Sequence, residues 1–117
     1  MNHIDVTRHE QCLHIRLTGE FASNAARDID AALAAVSGPP TLVLDLSGTT
    51  FLGGVGTSYL VKLQTRLSTL GGGLFLNNVS ESVASELAMR DLTGFFRIAE
   101  EWEEDMGEEM LPLLAAR

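Results

Sequence analysis

The chain has 117 residues, of which 45% are hydrophobic and three are proline. This composition fits one globular domain with a single core and excludes a compositionally disordered chain. The formal net charge is −8, from eight basic and 16 acidic residues, and no stretch is basic enough to match a phosphate backbone. Nucleic acid and anionic membrane surfaces are therefore not expected as partners.

No apolar run approaches the ~18 residues of a membrane span, and the first residues lack the pattern of a secretory signal. Direct membrane insertion is not expected, and the default expectation is a cytoplasmic protein. The single cysteine, Cys12, excludes an internal disulfide, and we expect it to be a half-buried strand thiol.

The first half of the chain predicts a hairpin, a helix and a strand. Apolar and polar residues alternate over 4–7 and 13–17, which predicts two strands joined by a turn at 9–11. Apolar residues then recur at helical spacing up to Val36, and Ser23 or Asn24 is the expected N-cap. A strand is predicted over residues 41–46, where residues 42–44 are continuously apolar, as in a central strand covered on both faces.

The second half predicts two further helix and strand pairs. After a loop ending near Gly56, leucines recur at helical spacing up to Leu70. Residues 74–76 form a short buried strand, Ser80 is the expected N-cap of the next helix, and residues 95–98 are expected to form an edge strand.

The predicted order is therefore β-β-α-β-α-β-α-β, an α/β fold with a mixed sheet of about five strands and helices packed on it. Residues 1–99 form the expected single domain. Residues 100–109 hold seven of the 16 acidic residues, and Trp102, Met106 and Met110 are spaced by four. Residues 100–117 are thus expected to form an acidic amphipathic helix that packs on the domain, on a partner or on a second copy in a homodimer.

The glycine-rich segment after the central strand is the candidate functional site. Gly53, Gly54, Val55 and Gly56 lack the Gly-Lys-Ser/Thr ending of a phosphate-binding loop and the third glycine of a dinucleotide fingerprint. Ser58 is not flanked as a nucleophile elbow would require. We therefore expect no enzyme activity.

Other candidate sites are weaker. His3, His9 and His14 do not complete a ligand set, so no metal or other cofactor is expected. Asp45 and Glu20 are plausible loop neighbours, but Asp45 is more simply a hydrogen-bond acceptor in the turn after its strand.

A recognition surface remains, formed by Gly53, Gly54, Val55, Gly56, Thr57 and Ser58. Glycines leave the backbone uncovered, so a partner can approach it closely. The hydroxyl groups of Thr50, Thr57 and Ser58 either contribute to this surface or bond within their own turn or helix.

Several segments, in their order and spacing, resemble the STAS domain of anti-sigma factor antagonists. They are residues 17–21, 42–52, 60–64, 72–80 and 92–96, so the resemblance spans roughly residues 3–99. It implies the same α/β fold and binding to an anti-sigma factor or a related kinase-fold protein. It also implies a loop that usually reads Asp-Ser-Ser-Gly, whose second serine is phosphorylated.

Gly53, Gly54, Val55 and Gly56 stand at those four positions, so Val55 occupies the phosphoacceptor position and has no oxygen to modify. Thr57 and Ser58 follow two and three residues later, a rotation of about 200–300° on a helix, and their phosphorylation stays an open question. The first hypothesis is a partner-switching regulator in bacterial signalling and transcription regulation that phosphate does not control. The second is an accessory subunit of a lipid or solute ABC transporter, bound to its ATPase subunit. The third is a nucleotide or small-ligand sensor.

Overall fold

The computed structural model describes residues 3–9 and 12–99, which form a five-stranded mixed sheet with three helices. The strands lie in the order β1-β2-β3-β4-β5, with β1 antiparallel to β2 and every other pair parallel. This confirms the predicted fold class and element order. The elements are β1 (His3–His9), β2 (Cys12–Glu20), α1 (Ser23–Ala34), β3 (Thr41–Phe51), α2 (Gly53–Thr69), β4 (Gly73–Asn77), α3 (Glu81–Met89) and β5 (Arg97–Ala99).

One face of the sheet and the three helices share the main hydrophobic core. Alternate residues of β2, β3 and β4 point to this face because side chains of a strand alternate between faces. The strand members are Leu13, Ile15, Leu17, Leu42, Leu44, Leu46, Leu74 and Leu76, and they pack against Ala25, Ile29, Leu60, Leu63, Leu67, Val83 and Leu87 of the helices. The helices therefore lie on this face and place their ends around the end of β3.

The opposite face of the sheet is also buried at its centre. Val43 and Phe75 are fully buried there, and the guanidinium carbon of Arg97 lies 5.6 Å from the centre of the Phe75 ring. Every side chain from Leu42 to Leu46 is buried. The prediction that the central strand is covered on both faces is confirmed.

Several boundaries differ from the sequence-based expectation. The strand predicted at 41–46 continues to Phe51, and the last strand begins at Arg97 rather than at residue 95. Helix α1 has Ala22 as its N-cap, without a side-chain hydrogen bond, so the expected cap by Ser23 or Asn24 is wrong. The expected cap by Ser80 is confirmed, because its hydroxyl accepts a hydrogen bond from the Val83 amide at 3.2 Å.

Cys12 is more deeply buried than expected. Its side chain is 3% exposed at the start of β2, and burial raises the pKa of the thiol to about 11. In residues 3–9 and 12–99, none of the helices has the length and apolar character that a membrane crossing requires. The expected acidic C-terminal helix lies outside the described residues.

Candidate functional site

The candidate site is the junction between β3 and α2. Sequence reasoning places a loop here, but Leu52 alone separates the two elements, because β3 ends at Phe51 and α2 begins at Gly53. The segment from Gly53 to Ser58 is therefore the start of a helix. This correction matters for function, since the side chains of a helix point in directions set by its 3.6-residue period.

The six residues predicted as contacts divide into an exposed and a buried set. Gly54, Val55 and Ser58 are exposed, and the Val55 side chain is 66% accessible to solvent. Gly53, Gly56 and Thr57 are buried. Half of the predicted surface thus faces the protein interior.

Gly56 is buried because an aromatic ring lies directly against it. A Cβ atom at this position would lie 3.0 Å from Cγ of Phe21, closer than ordinary van der Waals contact. The Phe21 amide in turn donates to the Phe51 carbonyl at 2.8 Å, so its ring is held beside the end of β3. This glycine allows close packing of α2, whereas nothing lies within 4 Å of a Cβ built on Gly54.

The hydroxyl group of Thr57 also serves the helix itself. It donates to the Gly53 carbonyl at 2.7 Å, one turn back, and the residue is 4% exposed. The structure therefore supports the local-bonding alternative for Thr57. Ser58 remains at the surface, beside Gly54 one turn earlier.

A carboxylate that sequence reasoning missed caps the start of α2. Glu86 of α3 accepts hydrogen bonds from the backbone amides of Leu52 and Gly53, each at 2.8 Å. A negative charge at a helix N-terminus is favourable, because it satisfies amides that lack helical acceptors and opposes the positive end of the helix dipole. In the sequence, the position of Glu86 is the one indication of this contact. It follows Val83 by three residues, which places it on the inner side of its helix.

The next two amides stay available. The Gly56 amide already donates to the Leu52 carbonyl at 3.0 Å. Within residues 3–9 and 12–99, the amides of Gly54 and Val55 donate to no acceptor. Because the first N–H groups of a helix point along its axis, these two amides are open to an incoming acceptor.

Exposed apolar side chains flank these amides. The Phe51 ring is 51% exposed and lies over Gly53, whose Cβ position would be 2.8 Å from its Cε2 atom. Gly53 has a φ of 69°, a backbone conformation that favours glycine. The exposed surface therefore combines two apolar side chains, Phe51 and Val55, with two open backbone donors.

Helix α2 is anchored to α1 behind this surface. The Tyr59 hydroxyl donates to the Asp30 carboxylate at 2.7 Å, and Arg66 donates to the same oxygen at 2.8 Å. Burial and the neighbouring Asp30 raise the pKa of Tyr59, so the phenol stays protonated. These contacts connect the middle and the later part of α2 to α1.

Asp45, one of the two carboxylates considered from the sequence, lies in a different part of the sheet. Asp45 accepts from the Ser47 amide at 2.9 Å and from Arg16 at 3.2 Å. Burial pushes the pKa of Asp45 upward, but the hydrogen bonds from Ser47 and Asn78 and the charge of Arg16 outweigh it, so the pKa lies below its usual value. The expected acceptor role of Asp45 is confirmed, but Asp45 lies within β3 and not in a turn after it, because the strand continues to Phe51.

Glu20 does not join Asp45. It lies opposite Phe51 in the sheet, whereas Asp45 lies opposite Arg16. These positions are separated along β3 by about 20 Å at ~3.3 Å per residue. In residues 3–9 and 12–99, no group of three His, Cys, Asp or Glu side chains has an arrangement suited to a metal ion.

Comparison with known proteins identifies a family model that matches this chain. A family model described as "Mlab, STAS domain" matches residues 4–100. A search of curated proteins found no match.

Solved structures of low sequence identity share the fold. An anti-sigma factor antagonist from Mycobacterium paratuberculosis is 21% identical, with a TM-score of 0.75 over 96% of this chain and 95% of that one. RsbS from Moorella thermoacetica is 18% identical, with a TM-score of 0.72 over 97% and 98%. The unphosphorylated anti-sigma factor antagonist SpoIIAA is 20% identical, with a TM-score of 0.69 over 92% and 96%.

Proposed function

Because the chain belongs to the STAS domain family, we propose that it is a cytoplasmic, non-enzymatic protein-binding module that acts as a partner-switching regulator. Its docking surface is the exposed start of α2, formed by Gly54, Val55 and Ser58 beside Phe51. The observation that carries this proposal is the 66% exposed Val55 side chain at the position where the family resemblance expects a phosphoacceptor serine. The partner is an anti-sigma factor or a related kinase-fold protein.

Valine at this position makes the surface independent of phosphorylation. One structural neighbour, SpoIIAA, is known in an unphosphorylated and a phosphorylated form. A phosphate adds about 1.5 to 2 negative charges and three strong acceptor oxygens, which changes what a surface can bind. Val55 cannot carry that group, so the binding form is permanent in this chain.

The two nearby hydroxyl groups differ in their exposure. The Thr57 hydroxyl is buried and bonded to the Gly53 carbonyl. Ser58 is exposed and follows Val55 by three residues, so the two side chains are only about 60° apart around the helix. A phosphate on Ser58 would therefore change the same surface, and we expect that none is added there.

Incubation with candidate anti-sigma kinases and ATP, followed by intact mass measurement, tests this part of the proposal. We expect no added phosphate under conditions in which a serine-containing antagonist is fully modified. Stoichiometric phosphate on residues 53–58 would contradict phosphate-independent binding.

Two charge-introducing variants test the docking surface. Gly54→Asp and Val55→Asp each place an unpaired charge where the partner would approach, so we expect partner binding to weaken at least about tenfold. Ala31→Asp, on the exposed side of α1, is the matched control and should bind normally. Unchanged binding by both site variants, with the fold intact by circular dichroism, would exclude this surface.

The alternative function is an accessory subunit of an ABC transporter for lipids or other solutes. The permanent docking surface supports it, because an accessory subunit needs a contact site and no phosphoacceptor. Affinity purification of the tagged chain from its native host distinguishes the two functions. A partner-switching regulator should co-purify with an anti-sigma kinase, whereas a transporter subunit should co-purify with an ATPase subunit. Light scattering on the same sample reports whether the chain forms a homodimer.

The sensor hypothesis requires a bound small molecule. Titration calorimetry with nucleotides, together with a thermal shift measurement, tests it. Absence of heat and of stabilisation would remove that hypothesis and leave the two protein-binding functions.

A further inference from the structure

A groove runs beside the docking surface, between α2 and the segment that follows α3. Its α2 wall carries Gly54, Ser58 and Lys62, which are spaced by four and so lie on one side of the helix. The opposite wall carries Arg90 and Leu92. We call this the α2–α3 groove, and its cavity volume is about 270 Å³.

Both basic side chains of the groove lack an ion pair in the described part of the chain. Two other basic residues have carboxylate partners, Arg16 with Asp45 at 3.2 Å and Arg66 with Asp30 at 2.8 Å. Within residues 3–9 and 12–99, neither Lys62 nor Arg90 forms an ion pair with a carboxylate, and both side chains are exposed. The groove therefore holds two positive charges that form no ion pair among the described residues.

The carboxylate of Glu86 forms no ion pair with Arg90. Glu86 lies one turn before Arg90, a spacing that commonly forms an ion pair. Here its two oxygens accept the amides of Leu52 and Gly53 instead. Lys62 and Arg90 thus line the groove without an ion pair to Glu86. Gly54, whose amide is open, lines the same groove.

Apolar contacts accompany this charge. Val61 and Leu92 are partly buried and line the groove together with the basic residues. A segment that alternates carboxylates with apolar side chains would pair its acids with Lys62 and Arg90 and bury its apolar groups between them. Charges beyond about 8 Å are largely screened at physiological ionic strength, so the net charge of the whole chain does not cancel this local attraction.

We propose that the α2–α3 groove binds an acidic, partly apolar segment of the protein partner. The proposal rests on the proposed function, because it names the chemistry of the partner at the same surface. Lys62 and Arg90 each bind a carboxylate, and Gly54 contributes a backbone donor at the end of the groove nearest to Val55.

Peptide binding measures the charge preference directly. The probe is a fluorescent twelve-residue peptide of Glu, Leu and Ala, and its control carries Gln in place of every Glu. We expect the Glu peptide to bind the full chain, and its affinity to fall with added salt. Equal binding of the Gln peptide would overturn the proposal.

A double variant tests the groove itself. Lys62→Gln with Arg90→Gln should weaken binding of the Glu peptide about tenfold, since exposed charge pairs contribute modestly. Arg27→Gln, an exposed residue of α1, removes one positive charge elsewhere and should change the affinity less than twofold. Equal loss in the control, or no loss in the double variant, would overturn the proposal.

Lys62 is the only lysine of the chain, so carbodiimide coupling followed by peptide mapping, which separates Lys62 from the α-amino group, gives the position of the bound segment. We expect a crosslink between the Lys62 amine and a peptide carboxylate. A crosslink to the chain's own acidic residues 100–109, or to a second copy, would show a different occupant and overturn the proposal. Displacement of the peptide by an oligonucleotide at equal charge concentration would do the same.

These results are separable from the proposed function. Loss of partner binding in Val55→Asp together with normal binding in the Lys62 and Arg90 double variant would leave the docking surface standing and exclude the groove.

Discussion

Asp45 shows how a single buried carboxylate is stabilised in this sheet. Its side chain is 2% exposed, and it accepts hydrogen bonds from Ser47, Arg16 and Asn78. These contacts offset burial and hold the pKa of Asp45 below that of the unfolded chain. The folded state is therefore favoured when Asp45 is ionised, and this effect depends on pH.

Asp45→Asn should lower the free energy of unfolding at pH 7 by about 1–3 kcal/mol, because it removes a charged acceptor. The folded pKa is lowered, so the contribution is complete above the unfolded pKa of about 3.9 and is lost as the pH falls toward the folded pKa. Urea unfolding at several pH values should thus show the gap between wild type and variant narrowing below about pH 4. A constant gap across this range would contradict the assignment.

At the scale of the element, the glycines at the start of α2 have opposite roles. Gly54→Ala should raise the free energy of unfolding by about 0.5–1 kcal/mol, because alanine favours the helix and its Cβ meets nothing within 4 Å. Gly56→Ala should lower it by about 1 kcal/mol, since the Cβ would press on the Phe21 ring. Thermal and urea unfolding measures both effects, and each variant is the control for the other. An increase in stability in both variants would contradict this packing.

The cap on α2 predicts a second effect at this scale. Glu86→Ala should cost about 1.5–3 kcal/mol, the range for hydrogen bonds to a charged group. Glu81→Ala, in the first turn of the same helix, should cost less than about 1 kcal/mol, because it loses mainly an interaction with the helix dipole. Hydrogen exchange of the Leu52 and Gly53 amides should quicken in the Glu86 variant alone. Unchanged exchange there would show that the cap does not persist in solution.

The elements that sequence reasoning located correctly are those whose own pattern determines them. Alternation defines β1 and β2, and the continuous apolar run defines the buried part of β3. The start of α2 was missed because its glycines have low helix propensity, and the carboxylate that stabilises it comes from Glu86, more than 30 residues later. The end of β3 was missed because small residues such as Gly48 and Thr49 carry no apolar pattern and are held by pairing with β2.

The candidate site, like the fold, was predicted only in part from the sequence. The exposed position of Val55 followed from alignment with a family pattern, whereas the burial of Thr57 required the helix register. Neither Lys62 nor Arg90 carries a local signal, because only the fold brings the middle of α2 against the segment after α3.

At the scale of the whole molecule, stability rests on the layer between the sheet and the helices. Leu44 is fully buried at the centre of this layer. Leu44→Ala should cost about 2–5 kcal/mol, the range for truncation of a core leucine. Val6→Ala, at a 48% exposed position of β1, should stay within about 0.5 kcal/mol in the same denaturant titration. A small effect at Leu44 would show that the core repacks.

The length of β3 has a consequence for self-association. Its pairing with β4 ends at Asp45, whereas its pairing with β2 continues to Phe51. Residues 46–51 therefore have one edge that β4 does not cover, and an uncovered edge can template strand addition by another molecule. The Ser80 hydroxyl bonds to the Thr49 carbonyl at 2.7 Å on this stretch, and Glu86 bonds to the amides just beyond it. The contacts of α3 with this edge thus hinder its pairing with another molecule. Loss of these contacts would favour intermolecular β-pairing before the domain unfolds.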